Sequence, residues 1–213
     1  MTDICLSRER LLNKEQKEGF GFIDFLLIFL LVFMIANIVI QTYVLSPVKV
    51  DGTSMNATLN DQDWLFMSKV KEPSRGDVVV FEKSTGINYI KRIIALEGDE
   101  IYADAEGIHL KKSGESDWVI IEDEHAYYFQ NPHHSYKDPT FTVIPRTTVG
   151  KGEMYVLGDN RNDSTDSRMI GKVKTSTILG IVPEWAIKHR EKYSSYLSFV
   201  EKINETVKKV KNG

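Results

Sequence analysis

Apolar and polar positions are distributed very unevenly along the chain. From Phe25 to Leu45 the sequence runs 21 residues without a charge, FLLIFLLVFMIANIVIQTYVL, interrupted only by Asn37, Gln41 and Thr42. At about 1.5 Å per residue a helix of that length spans roughly 30 Å, the thickness of a bilayer core. A cleaved signal peptide has a shorter apolar core followed by a small-residue site, and the exit here, Tyr43-Val44-Leu45-Ser46-Pro47, offers neither. The block therefore reads as an anchor that stays in the membrane, not as a buried soluble helix. Asn37 and Gln41, four apart, share one helix face and either meet a neighbouring helix or face lipid near the interface.

Pro47 is expected to end this helix, and after it the pattern changes to short β-rich runs between turn signals. Strands are expected at Val48–Val50, Trp64–Met67, Val78–Phe81, Tyr89–Ala95, Ile108–Lys111, Trp118–Ile121, Phe141–Ile144, Met154–Leu157 and Ser176–Ile181, punctuated by glycines such as Gly76, Gly86 and Gly98. The run Trp64-Leu65-Phe66-Met67 reads equally as a core strand or as a patch that dips into lipid. From Lys188 onward Tyr193, Tyr196, Val200, Ile203, Val207 and Val210 recur at spacings of three and four, which predicts an amphipathic helix. That helix could pair with a copy of itself, lie on anionic lipid or pack on its own domain. The fold expected is mostly β, with one N-terminal transmembrane helix, a β domain outside the membrane and a C-terminal amphipathic helix.

Charge orients this layout. Arg8, Arg10, Lys14 and Lys17 precede the span and only Lys49 follows closely, which puts the N-terminus in the cytoplasm and the large part outside. The segments expected are 1–24 cytoplasmic, 25–45 anchor, 46–187 extracytoplasmic β domain and 188–213 helical tail. With a net charge of −3 there is no basic excess to attract nucleic acid. The single cysteine, Cys5, excludes disulfides within the chain and cysteine-based zinc sites. No cofactor and no metal is expected.

Three segments carry candidate chemistry. Ser54, in Val50-Asp51-Gly52-Thr53-Ser54-Met55-Asn56, follows a glycine that permits a sharp turn. Nine residues beyond the span, it stays within about 30 Å of the membrane exit. The sequence is not a hydrolase elbow, which needs glycine two residues after the serine, and Ala57 stands where a Ser-x-x-Lys motif needs lysine. A serine hydroxyl needs a base. The five histidines, His109, His125, His133, His134 and His189, sit in or beside polar segments without a triad-like aspartate. Lys91 is the other option: on a strand it shares a face with Tyr89 and Ile93, where burial would favour its neutral form. The strand pattern equally allows Lys91 to point to solvent while Arg92 lies inward. The third segment, Gly158-Asp159-Asn160-Arg161-Asn162-Asp163-Ser164-Thr165-Asp166-Ser167-Arg168, lacks the glycine and glutamate of a calcium loop. It reads as a rigid polar turn whose carboxylates pair with Arg161 or Arg168 and whose hydroxyls hold something buried.

In this order the segments resemble the type I signal peptidases, membrane-anchored serine proteases that remove signal peptides from exported proteins. Ser54-Met55-Asn56-Ala57-Thr58-Leu59 resembles the family's nucleophile box, and Arg75 to Phe81, Tyr89 to Asp99 and Gly158 to Gly171 resemble the boxes that follow. Ala57 and Glu97 stand where the family has proline, and Asp163 where asparagine is usual. Gly52 stands where Gram-negative members carry a serine that helps to hold the oxyanion, which leaves that role to backbone N–H groups, chiefly that of Ser54.

The resemblance implies a catalytic pair of Ser54 and Lys91, with Ser164 orienting Lys91 and with Asp166 and Arg168 fixing the loop. It implies as partners preprotein signal peptides with small residues before the cut, together with membrane lipid, and no cofactor. Met55 and nearby apolar runs are candidate walls for the substrate pockets. Two other readings share these features. A soluble Ser-Lys self-cleaving regulator has the same pair but carries a DNA-binding portion in place of an anchor. A non-catalytic binding protein on a peptidase scaffold would explain Ala57 and Glu97.

Overall fold

The computed structural model describes residues 21–56, 58–104, 106–122, 124–126 and 143–212. The basic residues before the span, Ala57, His133-His134 and positions 141 and 142 of one expected strand lie outside them. The chain divides into two units, Met1–Tyr43 and Val44–Gly213.

Within the first unit, α1 (Phe22–Val39) continues into a π-helical turn, Ile40–Val44, making one helix long and apolar enough to cross a membrane. It is a single-pass anchor. Its start lies three residues before the charge-free run, because Asp24 accepts a hydrogen bond from the Gly21 N–H at 2.9 Å and so suits the electropositive first turn. Asn37 satisfies itself within the helix, donating to the Phe33 carbonyl at 2.9 Å. The helix ends before Pro47, so proline is not what stops it. Pro47 lies inside a strand at the edge of a sheet, where a missing N–H leaves no gap in the ladder.

The second unit is built from antiparallel strands. A seven-stranded sheet runs in the order β1 (Leu45–Lys49), β2 (Trp64–Ser68), β11 (Ile178–Val182), β3 (Val78–Ser84), β4 (Ile87–Leu96), β9 (Glu153–Leu157) and β10 (Val173–Lys174). A four-stranded sheet runs β7 (Val119–Ile120), β6 (Ile108–Lys111), β5 (Glu100–Ala103) and β8 (Ile144–Thr148). The sequence pattern missed β5 and β10, each too short to show a period, and read the glycine-flanked start of β5 as turn. The expected strand from Ser176 opens as a 3-10 turn, Thr175–Thr177.

The first four residues of β3, Val78 to Phe81, are continuous valine and phenylalanine because both faces of the strand are buried there. Val78 and Val80 pack with Val50, Met55, Leu59 and Leu65, whereas Val79 and Phe81 pack with Ile93, Val156 and Ile181. A bulge in β4 between Ile93 and Ala95 turns Ile94 and Ala95 toward Ile101, Leu110 and Ile144, and this cluster joins the two sheets. Met55, 1% exposed, is core rather than pocket surface.

The tail forms α3 (Glu184–Lys188) and α4 (Arg190–Asn212). Phe66 lies beneath Trp185 and Tyr193, with ring centroids at 6.4 and 5.4 Å, so β2 is a core strand covered by these helices. The face of α4 that packs carries Arg190, Ser194 and Glu201 beside Tyr193. Ser194 Oγ accepts from the Trp64 N–H at 2.8 Å and Lys49 meets Glu201 at 3.1 Å. The expected seam is therefore split, because Tyr196 and Ile203 are exposed on another face.

Asp99, fully buried, ties the sheets at their junction. It accepts from Arg75 Nε at 2.7 Å and Nη2 at 2.6 Å, and from the Leu96 and Ser113 N–H groups at 2.8 Å each. Burial alone would raise its carboxyl, but the Arg75 guanidinium and the two N–H donors hold it below the ordinary carboxylate range. Arg75→Leu should lower unfolding stability by about 3 kcal/mol, the low end for breaking a buried pair because the guanidinium is partly exposed. Denaturant titration reads the loss, which should be complete above the unfolded carboxylate pKa and fade as acid protonates Asp99.

Candidate active site

The site is assembled from a turn, a strand and a loop. The turn begins at Val50, whose N–H and C=O bond to Asp63 and Gln62. At Gly52 the backbone turns through φ +96°, a conformation side chains disfavour, and its N–H is held by Asp61 Oδ1 at 2.8 Å. Ser54 comes next on a tight turn closed by the Asn56 N–H to the Thr53 carbonyl. Buried Met55 and Leu59 pin the segment beyond it, so the hydroxyl of Ser54 is presented from a fixed backbone. Its own N–H meets no acceptor among the described residues.

Lys91 projects from the middle of β4 and is 4% exposed. Nζ lies 2.6 Å from Ser54 Oγ and 2.9 Å from the Ile90 carbonyl, with the Tyr89 ring centroid at 5.2 Å. Of the two strand readings, inward Lys91 holds. Arg92 is inward as well, on the opposite face. It forks onto Asp159 at 2.8 and 2.6 Å and donates Nη1 to the Gly76 carbonyl at 2.7 Å. Burial pushes the Lys91 ammonium down from 10.5 to about 8, against the pull of Asp166, Asp159 and Asp163 and with help from Arg168.

The loop from Gly158 to Arg168 closes over this pair. A side chain at Gly158 would lie 2.5 Å from the Ser54 carbonyl oxygen, so the close approach requires glycine. Asn160 grips the serine turn twice, its N–H to the Ser54 carbonyl and its Nδ2 to the Thr53 carbonyl, both at 3.1 Å. Thr53 Oγ1 donates to Asp163 Oδ2 at 2.5 Å. Asp166, fully buried, caps α2 (Ser167–Ile170). It accepts from the Gly158 N–H at 2.9 Å and from Arg168 Nε and Nη2 at 2.8 and 2.7 Å. Burial alone would raise its carboxyl, yet the Arg168 guanidinium and the Gly158 N–H hold it low.

All five residues singled out in the sequence therefore converge on one place. One contact differs from expectation. Ser164 Oγ is buried without a hydrogen bond, and Lys91 turns to the Ile90 carbonyl instead. Sequence reasoning missed Arg92–Asp159, Asn160 and Thr53–Asp163, since partners 67 to 110 positions apart leave no spacing signal. Glu97, a departure from the family pattern, accepts from the Gly152 N–H at 2.8 Å and so closes a neighbouring turn. His109, expected in a polar segment, is buried on β6 with its Nε2 3.0 Å from Asp104 Oδ1 and its ring stacked on Tyr102.

The family model described as signal peptidase, peptidase S26, matches residues 22–185. Signal peptidase I of Buchnera aphidicola is 27% identical over 217 residues, covering 68% of this chain and 69% of its own. Signal peptidase I of Rickettsia prowazekii is 28% identical over 203 residues, covering 74% of each. A crystal structure of a signal peptidase I from Enterococcus faecalis is similar with a TM-score of 0.42 and 24% identity, over 54% of this chain and 99% of that one.

A buried, partly charged lysine costs stability whatever its use. Below pH 8 Lys91 is protonated in both folded and unfolded chains, and a fall from 10.5 to about 8 bounds the penalty near 3 kcal/mol. Lys91→Met should therefore raise the unfolding temperature at pH 6 to 7. The advantage should shrink as pH climbs from about 8 toward 10.5, where the native lysine folds neutral.

Proposed function

The chain belongs to the signal peptidase family, peptidase S26, and from that premise we propose that it is a signal peptidase I acting through Ser54 and Lys91. The observation that carries the reading is the 2.6 Å approach of Lys91 Nζ to Ser54 Oγ, in a setting where burial brings the lysine to about 8. Neutral Lys91 accepts the Ser54 proton as Oγ attacks the scissile carbonyl. The oxyanion develops beside the Ser54 N–H, whose lack of a partner suits it to that charge. Collapse of the tetrahedral species expels the new amino terminus, which takes a proton from Lys91, and leaves an acyl ester on Ser54. Water then attacks the ester with Lys91 again as base, releasing the carboxylate and restoring the hydroxyl.

Once Oγ is esterified Lys91 loses an acceptor, and Ser164, buried with a free hydroxyl, is the residue to orient it. Asp166 and Arg168 hold the loop that carries Ser164. The substrate is an extended signal peptide with small residues at the first and third positions before the cut, added as a strand beside the site. In this reading residues 25–45 anchor the chain with 1–24 in the cytoplasm. Residues 46–187 form the catalytic domain at the outer face of the membrane, and 188–213 form its helical tail.

Purified full-length protein in detergent should cleave a preprotein carrying an Ala-x-Ala site after the second alanine, as read by product mass. Ser54→Ala and Lys91→Ala should each reduce kcat/KM at least about 1,000-fold. Full cleavage by Ser54→Ala would overturn the assignment. So would inactivity of the unmodified chain where a known peptidase is active in the same detergent; that result would favour the binding scaffold.

The neutral lysine is the working form, so kcat/KM should rise tenfold per pH unit below about 8 and level off above it. Asp163 favours the charged lysine, so Asp163→Asn should move that midpoint to lower pH. A midpoint unchanged by Asp163→Asn would remove the aspartate from the electrostatics of the site.

A further inference from the structure

The helix α4 carries two opposed faces, and the domain covers one of them. Arg190, Ser194 and Glu201 turn inward, bonded to Asp63, Trp64 and Lys49 respectively. At 100° per residue Tyr196, Phe199 and Ile203 fall together on the opposite side, within about 60° of arc. They are 63%, 62% and 46% exposed. Exposed Lys192 lies within this stripe, and Lys202 and Lys209 follow on one flank, about 60° and 80° from its edge, a flank that also carries Glu191. In α4 six basic residues face three glutamates, giving +3 in a chain whose net charge is −3, so the rest of the chain carries −6.

We propose that the outer face of α4 docks on an anionic bilayer surface, as a second attachment of the domain beside the transmembrane span. Two aromatic rings and an isoleucine bordered by lysines form the pattern by which an interfacial helix buries its apolar side among headgroups while its cations meet lipid charge. The charge asymmetry selects this surface, because an anionic membrane attracts α4 and repels the remainder of the domain. Chain length makes the surface available. Lys49, which holds Glu201, follows the end of the apolar span at Val44 by five residues, no more than about 18 Å of extended chain. A second copy of the chain would instead bring six such lysines together across a narrow apolar seam.

The docked helix has a direct path to the serine turn. Ser194 and Arg190 contact Asp63, whose carbonyl accepts the Val50 N–H at the base of the segment bearing Ser54.

Spin labels test this in the full chain reconstituted into vesicles of phosphatidylcholine with or without phosphatidylglycerol. With Cys5→Ser removing the native thiol, a label is placed by Phe199→Cys or Ile203→Cys and, as a reference, by Glu205→Cys. Collision with oxygen and with a neutral nickel chelate reports depth. In phosphatidylglycerol vesicles the labels at 199 and 203 should show an oxygen-to-nickel ratio several-fold above that at 205. Reversing Lys192, Lys202 and Lys209 to glutamate should abolish the difference while cleavage in detergent is retained. Equal ratios at all three positions would overturn the proposal, as would equal protection in vesicles lacking phosphatidylglycerol. Dipolar broadening between labels at 199 would overturn it in favour of a second copy.

Discussion

The structure depends on keeping one ammonium group out of water. Lys91 sits in the middle of β4, an inner strand of a sheet packed on both faces, and desolvation there is the largest influence on its proton affinity. Neighbouring elements make that position tolerable. The hydroxyl of Ser54 and the carbonyl of Ile90 give Nζ two acceptors, so the group is buried but not orphaned. Apolar sequence on β3 and β4 supplies the low-polarity surroundings, since Val78 to Phe81 and Ile93 to Ala95 are all buried.

Around this lysine, carboxylates do structural work that conflicts with the electrostatics the proposed reaction needs. Asp159, Asp163 and Asp166 all favour the charged lysine, yet the loop requires two of them, Asp159 and Asp166. Asp166 caps α2 and receives the Gly158 N–H, while Asp159 anchors the loop to β4 through Arg92. The conflict is moderated by pairing, since Arg168 forks onto Asp166 and Arg92 onto Asp159. The Lys-Arg dipeptide thus divides two tasks between the two faces of one strand: Lys91 meets the serine, and Arg92 fastens the loop that covers it.

The anchor, the β-rich character of the domain and the helical tail were legible because each rests on a local pattern. Twenty-one uncharged residues, strand-length apolar runs and a three-four repeat are all visible without tertiary contacts. Ser54, Lys91 and the loop of Ser164, Asp166 and Arg168 were legible as segments whose chemistry lacked partners. What stayed hidden was pairing at long range. Nothing in the sequence joins Arg92 to Asp159 or Thr53 to Asp163, and a strand pattern with two inward faces reads as ambiguous rather than as doubly buried. β5 and β10 were missed because elements of four and two residues take their form from the neighbours they pair with. The tail shows a subtler failure. Its period was right, but its packed face sets Tyr193 beside polar Ser194 and Glu201, and part of its apolar seam was left outside.

Asp163 differs from the other two carboxylates in its partner. A hydroxyl, that of Thr53, holds it where guanidinium groups hold Asp159 and Asp166, so its charge near Lys91 is the least compensated of the three. An asparagine there could accept the same hydrogen bond from Thr53 without the charge, so the aspartate is not needed for the fold of the turn. Its presence opposes the desolvation that lowers Lys91. In the proposed reaction the neutral lysine is the working form, so the charge of Asp163 works against it.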